Sequence, residues 1–208
     1  MRVISGSARG RKLKEPSGFD IRPTSAKVKE SIFSIVQFDI EGRRVLDLFA
    51  GTGQLGIEAL SRGARNAVFV DSNPEAAKII RHNLKVCGFI DLASVQLRDT
   101  IRYLDGILRM FTDAGNVKGL NAGSRKVMLG KRNWAETFDL IFIDPPYGSS
   151  LLTETLSRII AIDKLNTNGI IICETKADIP TPAVESPYFL YKEYKYGSTK
   201  IIRYDREG

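Results

Sequence analysis

The chain has 208 residues, 43% of them hydrophobic and 26% charged, with a formal net charge of +7 at pH 7. That length suits one domain with a small appendage, the composition is that of an ordinary water-soluble protein, and the apolar runs are too short to cross a bilayer. Two distant cysteines, Cys87 and Cys173, and the single histidine His82 suggest neither a disulfide framework nor a metal site, so no metal is expected.

The opening MRVISGSARGRK lacks the apolar stretch of a secretory signal, and Glu15 and Asp20 are unlike a transit peptide, so a cytoplasmic protein is expected. Residues 1–29 hold eight basic side chains (Arg2, Arg9, Arg11, Lys12, Lys14, Arg22, Lys27, Lys29) against those two acids, so +6 of the +7 lies there. A basic block beside a near-neutral body is the footprint of a protein that meets a polyanion; a solubilising arm is the plainer alternative. Within the block, alternation around Gly6 and Gly10 predicts a short irregular hairpin. After Pro23, Thr24 or Ser25 can cap a helix through AKVKESIFSIVQF, with Val28, Ile32, Ile35 and Val36 on one side and Lys27 and Lys29 facing elsewhere. Residues 1–40 are expected to form a basic extension packed on a body of residues 41–208.

From residue 43 the pattern is strand, turn, helix, repeated. RRVLDLF reads as a buried strand, GQLGIEALSRGA as a helix, NAVFVD as a strand and NPEAAKIIRHNLKVCG as a helix with Pro74 early and Gly88 at its end. ASVQLRD is a third strand, and FDLIFID, LLTETLSRIIAID and GIIICET continue the alternation as strand, helix and strand. PYFLYKEYKYGSTKIIRYDRE reads as an antiparallel hairpin around Gly197. An α/β fold follows, with a mostly parallel seven-stranded sheet covered by helices on both faces. Between Arg102 and Thr137 a partial helix and then a long loop are expected, the stretch 106–136 carrying six basic and two acidic residues.

DLFAGTGQLG places Gly51, Gly53 and Gly56 between a strand and a helix. Glycines let a backbone turn sharply and approach a ligand, and the helix start presents N–H donors. Asp71, 20 residues after Gly51, makes a nicotinamide dinucleotide a rival ligand. Against it, the Asp47 carboxylate repels a pyrophosphate but suits an ammonium group, and little chain remains for a separate substrate domain. S-adenosylmethionine fits better, with Asp47 near its amino acid end, Asp71 on the ribose and Asp99 near the adenine amine.

FDLIFIDPPYGSS ends an apolar strand with an acid, two prolines and a tyrosine. An exocyclic amine on a nucleobase is a weak nucleophile because its lone pair is delocalised. The Asp144 carboxylate and the Pro145 carbonyl can accept its two protons, and Pro145 and Pro146 hold those acceptors rigidly. Tyr147 offers a face on which an extruded base can stack, worth ~1–3 kcal/mol. A direct displacement is expected, without covalent intermediate or metal. A plain strand-terminating turn is the alternative, and the motif does not reveal the base.

DLFAGTGQLGIEALSRGA, VFVDSN and DLIFIDPPY resemble the class I S-adenosylmethionine-dependent methyltransferases, whose Rossmann-like fold is expected here. With RVISGSARGRKL, RPTSAKVKESIFSIV and YKYGSTKI they resemble the RsmD-type bacterial family that methylates guanine N2 in small-subunit (16S) rRNA. The resemblance implies S-adenosyl-L-methionine at Asp47, Phe49, Gly51, Gly53, Asp71, Ser72, Asp99 and Thr100, and transfer at Asp144, Pro145, Pro146 and Tyr147. It implies rRNA contact by Arg9, Arg11, Lys12, Arg22, Thr24, Lys27 and Lys29, within the small ribosomal subunit and as a monomer. Ser198 departs from the acid the family commonly has after the last glycine, and the 106–136 stretch is longer than usual. A DNA adenine methyltransferase and a noncatalytic RNA-binding protein of the same fold are the rival readings.

Overall fold

The computed structural model describes residues 1–16, 26–116 and 137–208, the side chains of 109–116 aside. Its elements in chain order are α1 (Ala26–Ile35), β1 (Arg44–Leu48), α2 (Gln54–Ser61), β2 (Asn66–Asp71), α3 (Pro74–Cys87), β3 (Ala93–Leu97), α4 (Thr100–Asn116), β4 (Phe138–Ile143), α5 (Leu151–Ile162), β5 (Leu165–Lys176), β6 (Tyr188–Tyr196) and β7 (Thr199–Arg206). The strands form one seven-stranded sheet in the order β3-β2-β1-β4-β5-β7-β6. All neighbours are parallel except the hairpin, where β7 runs antiparallel to both β5 and β6.

Side chains alternate between the two faces of the sheet, and the strands are apolar on both. Val45, Phe69, Leu140, Phe142, Ile170 and Ile172 join one core with α1 and α2. Leu46, Val68, Ile141, Ile171 and Cys173 join the other with α4 and α5. Each such side chain, fully buried, contributes on the order of 1.5–3 kcal/mol. On the first face Phe33 of α1 meets Phe142 with ring centroids 5.8 Å apart, while Arg62 lies 4.7 Å over the Phe33 ring.

Local chemistry sets most of the boundaries. The Asn73 side chain accepts from the Glu75 N–H at 2.8 Å and Pro74 opens α3, while Gly88 at φ 78° closes it. One expectation shifts: β5 begins at Leu165, ahead of the apolar run; the partial helix expected after Arg102 is α4, which extends as far as Asn116. Residues 117–136 of the expected loop lie outside the described residues.

The sheet order has one consequence for function. β1 pairs with β2 on one side and β4 on the other, so the chain winds outward from β1, then crosses back. A crevice opens outside the carboxyl ends of the strands at such a switch point, which is where ligands sit in open α/β sheets. Asp47 and Asp144 belong to the two strand ends that flank it.

Candidate active site

The first strand end is built around two acids. Asp47 is 2% exposed, and its Oδ2 accepts the Gly56 N–H at 2.9 Å, which ties β1 to the first turn of α2. Gly56 is required there: a Cβ would stand 2.3 Å from Cε1 of Phe69 on β2. Asp71, at the end of β2, accepts the Gly51 N–H at 2.8 Å with Oδ2 and the Asn73 N–H at 2.8 Å with Oδ1. Each carboxylate oxygen keeps a second lone pair for a ligand. Gly51 and Gly53 take φ of 55° and 76°, and Phe49 takes φ 60°, a conformation that costs a bulky residue about 1–3 kcal/mol. The turn thus brings backbone, two acids and a strained aromatic residue to one place.

Burial pushes the Asp47 carboxyl well above the usual carboxylate range; the Gly56 N–H opposes this, and the charges of Asp144 and Asp71 add to it. An added cation would offset the repulsion from Asp144 and Asp71 and favour the charged carboxylate despite its burial. The donor set therefore fits a ligand with an ammonium or sulfonium group and a ribose diol. Ser72 and Asp99 are exposed and Thr100 is 2% exposed. Asp99 also caps α4, its Oδ1 accepting the Arg102 N–H at 2.9 Å.

The second strand end follows the last β1–β4 pair, Leu48 with Ile143. Asp144 is half-buried, Pro145 buried and Pro146 exposed. Gly148 at φ 81° and the Ser149 hydroxyl, which donates to the Pro146 carbonyl at 2.8 Å, close the turn. Tyr147 is half-buried; its hydroxyl donates to Glu174 Oε1 at 2.9 Å and lies 3.4 Å from Thr199 Oγ1. Burial foremost pushes the phenol up to about 12; the Thr199 contact opposes the rise, and Glu174 and Asp144 add to it. It is a neutral donor throughout the physiological range. Ser198 is exposed in the β6–β7 turn, where its carbonyl accepts the Ala177 N–H at 2.9 Å.

The basic residues divide. Arg9, Arg11, Lys12 and Lys27 are exposed, and Arg22 and Thr24 lie outside the described residues. Lys29 corrects the expectation of an RNA-facing side chain. It is 2% exposed, donates to the Arg2 carbonyl at 2.7 Å and pairs with the wholly buried Glu58 at 3.4 Å. Its position one residue after Val28 turns it inward against α2, and burial lowers its pKa despite Glu58. Breaking such a pair costs on the order of 3–5 kcal/mol.

The amino-terminal segment has a single antiparallel bridge, Arg2 with Lys12, and hangs on side chains of α2 and α3. Glu58 accepts the N–H groups of Ile4 and Ser5 at 2.8 and 2.9 Å as well as Arg62 Nε at 3.0 Å. Ser61 receives the Ala8 N–H on its hydroxyl at 2.9 Å and the Ser7 N–H on its carbonyl at 2.8 Å. The tip with Arg9 therefore sits at the carboxyl end of α2, about 10 Å along that helix from the glycine turn. At the other end, wholly buried Asn83 accepts the Lys14 N–H at 2.7 Å and donates to the carbonyls of Lys14 and Thr52 at 3.1 and 3.0 Å. One side chain joins the basic segment to the glycine turn.

Glu58, Asn83, Glu174 and Thr199 were not singled out from sequence. Only Glu174 carried a signal: like Asp47, Asp71 and Asp144, it is an acid at the carboxyl end of a strand. Among the described residues, no group of three or more metal-ligating side chains is placed to hold an ion, and no helix is long and apolar enough to cross a membrane.

Known proteins share both the sequence and the architecture. The chain is 35% identical to the YlbH protein of Bacillus subtilis over 208 residues, which covers the whole of both chains. It is 28% identical to ribosomal RNA small subunit methyltransferase D of Escherichia coli, covering 100% of this chain and 91% of that one. The solved structure of yhhF from Escherichia coli superposes with a TM-score of 0.77 at 26% identity, covering 100% and 98% of the two chains. A family model described as conserved hypothetical protein 95 matches residues 1–205. With that match running from the basic segment through the last strand, the chain belongs to this family, the RsmD-type proteins of the class I methyltransferase fold.

Proposed function

We propose that the chain transfers a methyl group from S-adenosyl-L-methionine to the exocyclic N2 of a guanine in small-subunit (16S) rRNA, as a cytoplasmic monomer. One observation carries the reading: the Asp144–Tyr147 turn stands beside the glycine turn across the switch point, close enough that Asp144 raises the Asp47 pKa. A methyl donor and a base acceptor are thereby served by neighbouring strand ends. The name of the Escherichia coli relative supports small-subunit rRNA as the substrate. Guanine N2 as the acceptor rests on the family resemblance and on the chemistry of the second turn.

S-adenosyl-L-methionine, when bound, supplies a methyl group on a sulfonium. Asp71 and the glycine turn would hold its ribose and amino acid parts, with Phe49, Ser72, Asp99 and Thr100 along the same edge, and Asp47 would stabilise the positive end. Asp144 and the Pro145 carbonyl accept the two N2 protons, so that the nitrogen lone pair is directed toward the methyl carbon. As the bond from N2 to the methyl carbon forms, the methyl–sulfur bond would break and leave a neutral thioether, and the nitrogen would then lose one proton to Asp144 or to water, which restores a neutral base. Pro145 and Pro146 keep the acceptors from relaxing, and Tyr147 stacks on the extruded guanine. Arg9, Arg11, Lys12 and Lys27 bind phosphates, which supplies affinity without sequence preference. By the family resemblance Arg22 and Thr24 also contact the rRNA, and residues 1–40 serve as the RNA-contacting extension of the catalytic body.

The test is to offer labelled S-adenosylmethionine with naked 16S rRNA, assembled small subunits and DNA, and to map the labelled nucleotide. Label on a guanine N2 of the rRNA is expected. Label confined to adenine in DNA would support the DNA methyltransferase reading, and cofactor binding without transfer to any RNA would support a noncatalytic role.

A further inference from the structure

Tyr147 is held at both ends. Its backbone follows two prolines, while its hydroxyl reaches across to the ends of two other strands, donating to Glu174 Oε1 of β5 at 2.9 Å and lying 3.4 Å from Thr199 Oγ1 of β7. Both partners are 5% exposed. Lys176, two residues beyond Glu174, places its Nζ 6.0 Å from the ring centroid. A side chain anchored only at Cα can rotate about χ1 and χ2; a hydrogen bond at the phenol oxygen, which lies on the χ2 axis, stops the swing about χ1, and because conjugation keeps the O–H in the ring plane, an acceptor to one side of that axis also holds the plane.

We propose that Glu174 is a positioning residue for the transfer, fixing the plane of the Tyr147 ring and so the plane on which the extruded base stacks. This rests on the methyl-transfer reading above. The carboxylate acts on the substrate only through the phenol: a buried acceptor supplied by rigid β5 sets the ring angle before RNA arrives, and a stacked base inherits that angle relative to Asp144. Misplacement of a reacting group by about 1 Å is enough to cost up to about 100-fold in rate. Thr199 is a secondary support, because its oxygen lies farther from the phenol.

The experiment compares Glu174→Leu, Glu174→Gln, Tyr147→Phe and the Glu174→Leu/Tyr147→Phe pair with the wild-type chain. Transfer from S-adenosylmethionine to small-subunit rRNA gives kcat and KM, calorimetry gives cofactor affinity, and thermal unfolding reports the fold. Glu174→Leu and Tyr147→Phe are each expected to lower kcat/KM about tenfold, with cofactor affinity within about twofold of wild type. The double variant is expected to be no worse than the poorer single one, since both remove the same tether. Glu174→Gln, which retains an acceptor oxygen, is expected to return to within about threefold of wild type. An active wild type with an indifferent Glu174→Leu, multiplying losses in the double variant, or a Gln variant as poor as Leu overturns this role alone. So does parallel loss of cofactor affinity and melting temperature in Glu174→Leu, which marks a merely structural acid. A wild type that labels no RNA overturns the methyl-transfer reading, and this role with it.

Discussion

The glycine turn after β1 and the proline turn after β4 stand side by side at one edge of the sheet, yet each is held in shape by opposite means. The first uses residues with the least steric restriction, Gly51 and Gly53 at positive φ, and then clamps them from outside: Asp71 takes the Gly51 N–H and Asp47 the Gly56 N–H. The second uses residues whose φ is already restricted, Pro145 and Pro146, closes with the Ser149 hydroxyl on the Pro146 carbonyl, and ties the far end of Tyr147 to Glu174. The difference follows from what each turn offers. A backbone that must approach a ligand closely cannot carry bulk, so its order has to come from neighbours. A turn that works through side chains can take its order from its own prolines. Damage to the first turn should therefore reach the fold and the cofactor together, and damage to the second should reach transfer alone.

The largest expected effect tests the second half of that contrast. Asp144→Ala should lower kcat by about 10²–10³-fold, the cost of losing one preorganised partner at a reacting group, with cofactor affinity largely kept. Unchanged turnover in a labelled-methyl assay would refute the role given to that carboxylate. Gly56→Ala tests the first half. Its Cβ would meet the Phe69 ring at 2.3 Å, so overpacking should destabilise the chain by about 1–3 kcal/mol and weaken cofactor binding in the same variant. A thermal melt and a calorimetric titration check both, and loss of transfer without either would refute the coupling of fold and cofactor at this turn.

Asp47→Asn should separate stability from binding. The wild-type carboxyl has a folded pKa raised above its ordinary value of 3.8, so the folded state holds the proton more tightly than the unfolded one. Stability contributed in this way is fully present below the ordinary value and is lost as pH rises from there to the raised one. The Asn variant, with no charge to bury, should melt higher than the ligand-free wild type at neutral pH, and the gain should vanish near pH 3–4. It should also bind cofactor more weakly. Melts across pH without ligand, together with one titration at neutral pH, check this. Pro146→Gly should give the smallest effect: stability within about 1 kcal/mol, because the residue is exposed, and a several-fold drop in kcat from a looser turn.

The local chemistry of this protein was legible along the chain. Continuous apolar runs bounded by glycine and proline read as parallel strands and caps, and Asn73, Pro74 and Gly88 marked the ends of α3 because capping depends on residues within a few positions. The same locality exposed Asp47, Asp71 and Asp144 as acids at strand ends. The fold chose which of these ends lie together, since the order β3-β2-β1-β4-β5-β7-β6 is set by crossovers that no local period records. It also decided the fate of Lys29, which helical spacing allowed to face solvent but which Glu58, 29 residues later, draws into the core. It likewise placed Glu174 against Tyr147, 27 residues away. Both pairings join polar groups distant in the chain, and a buried polar group takes whichever partner the packing brings within hydrogen-bond reach.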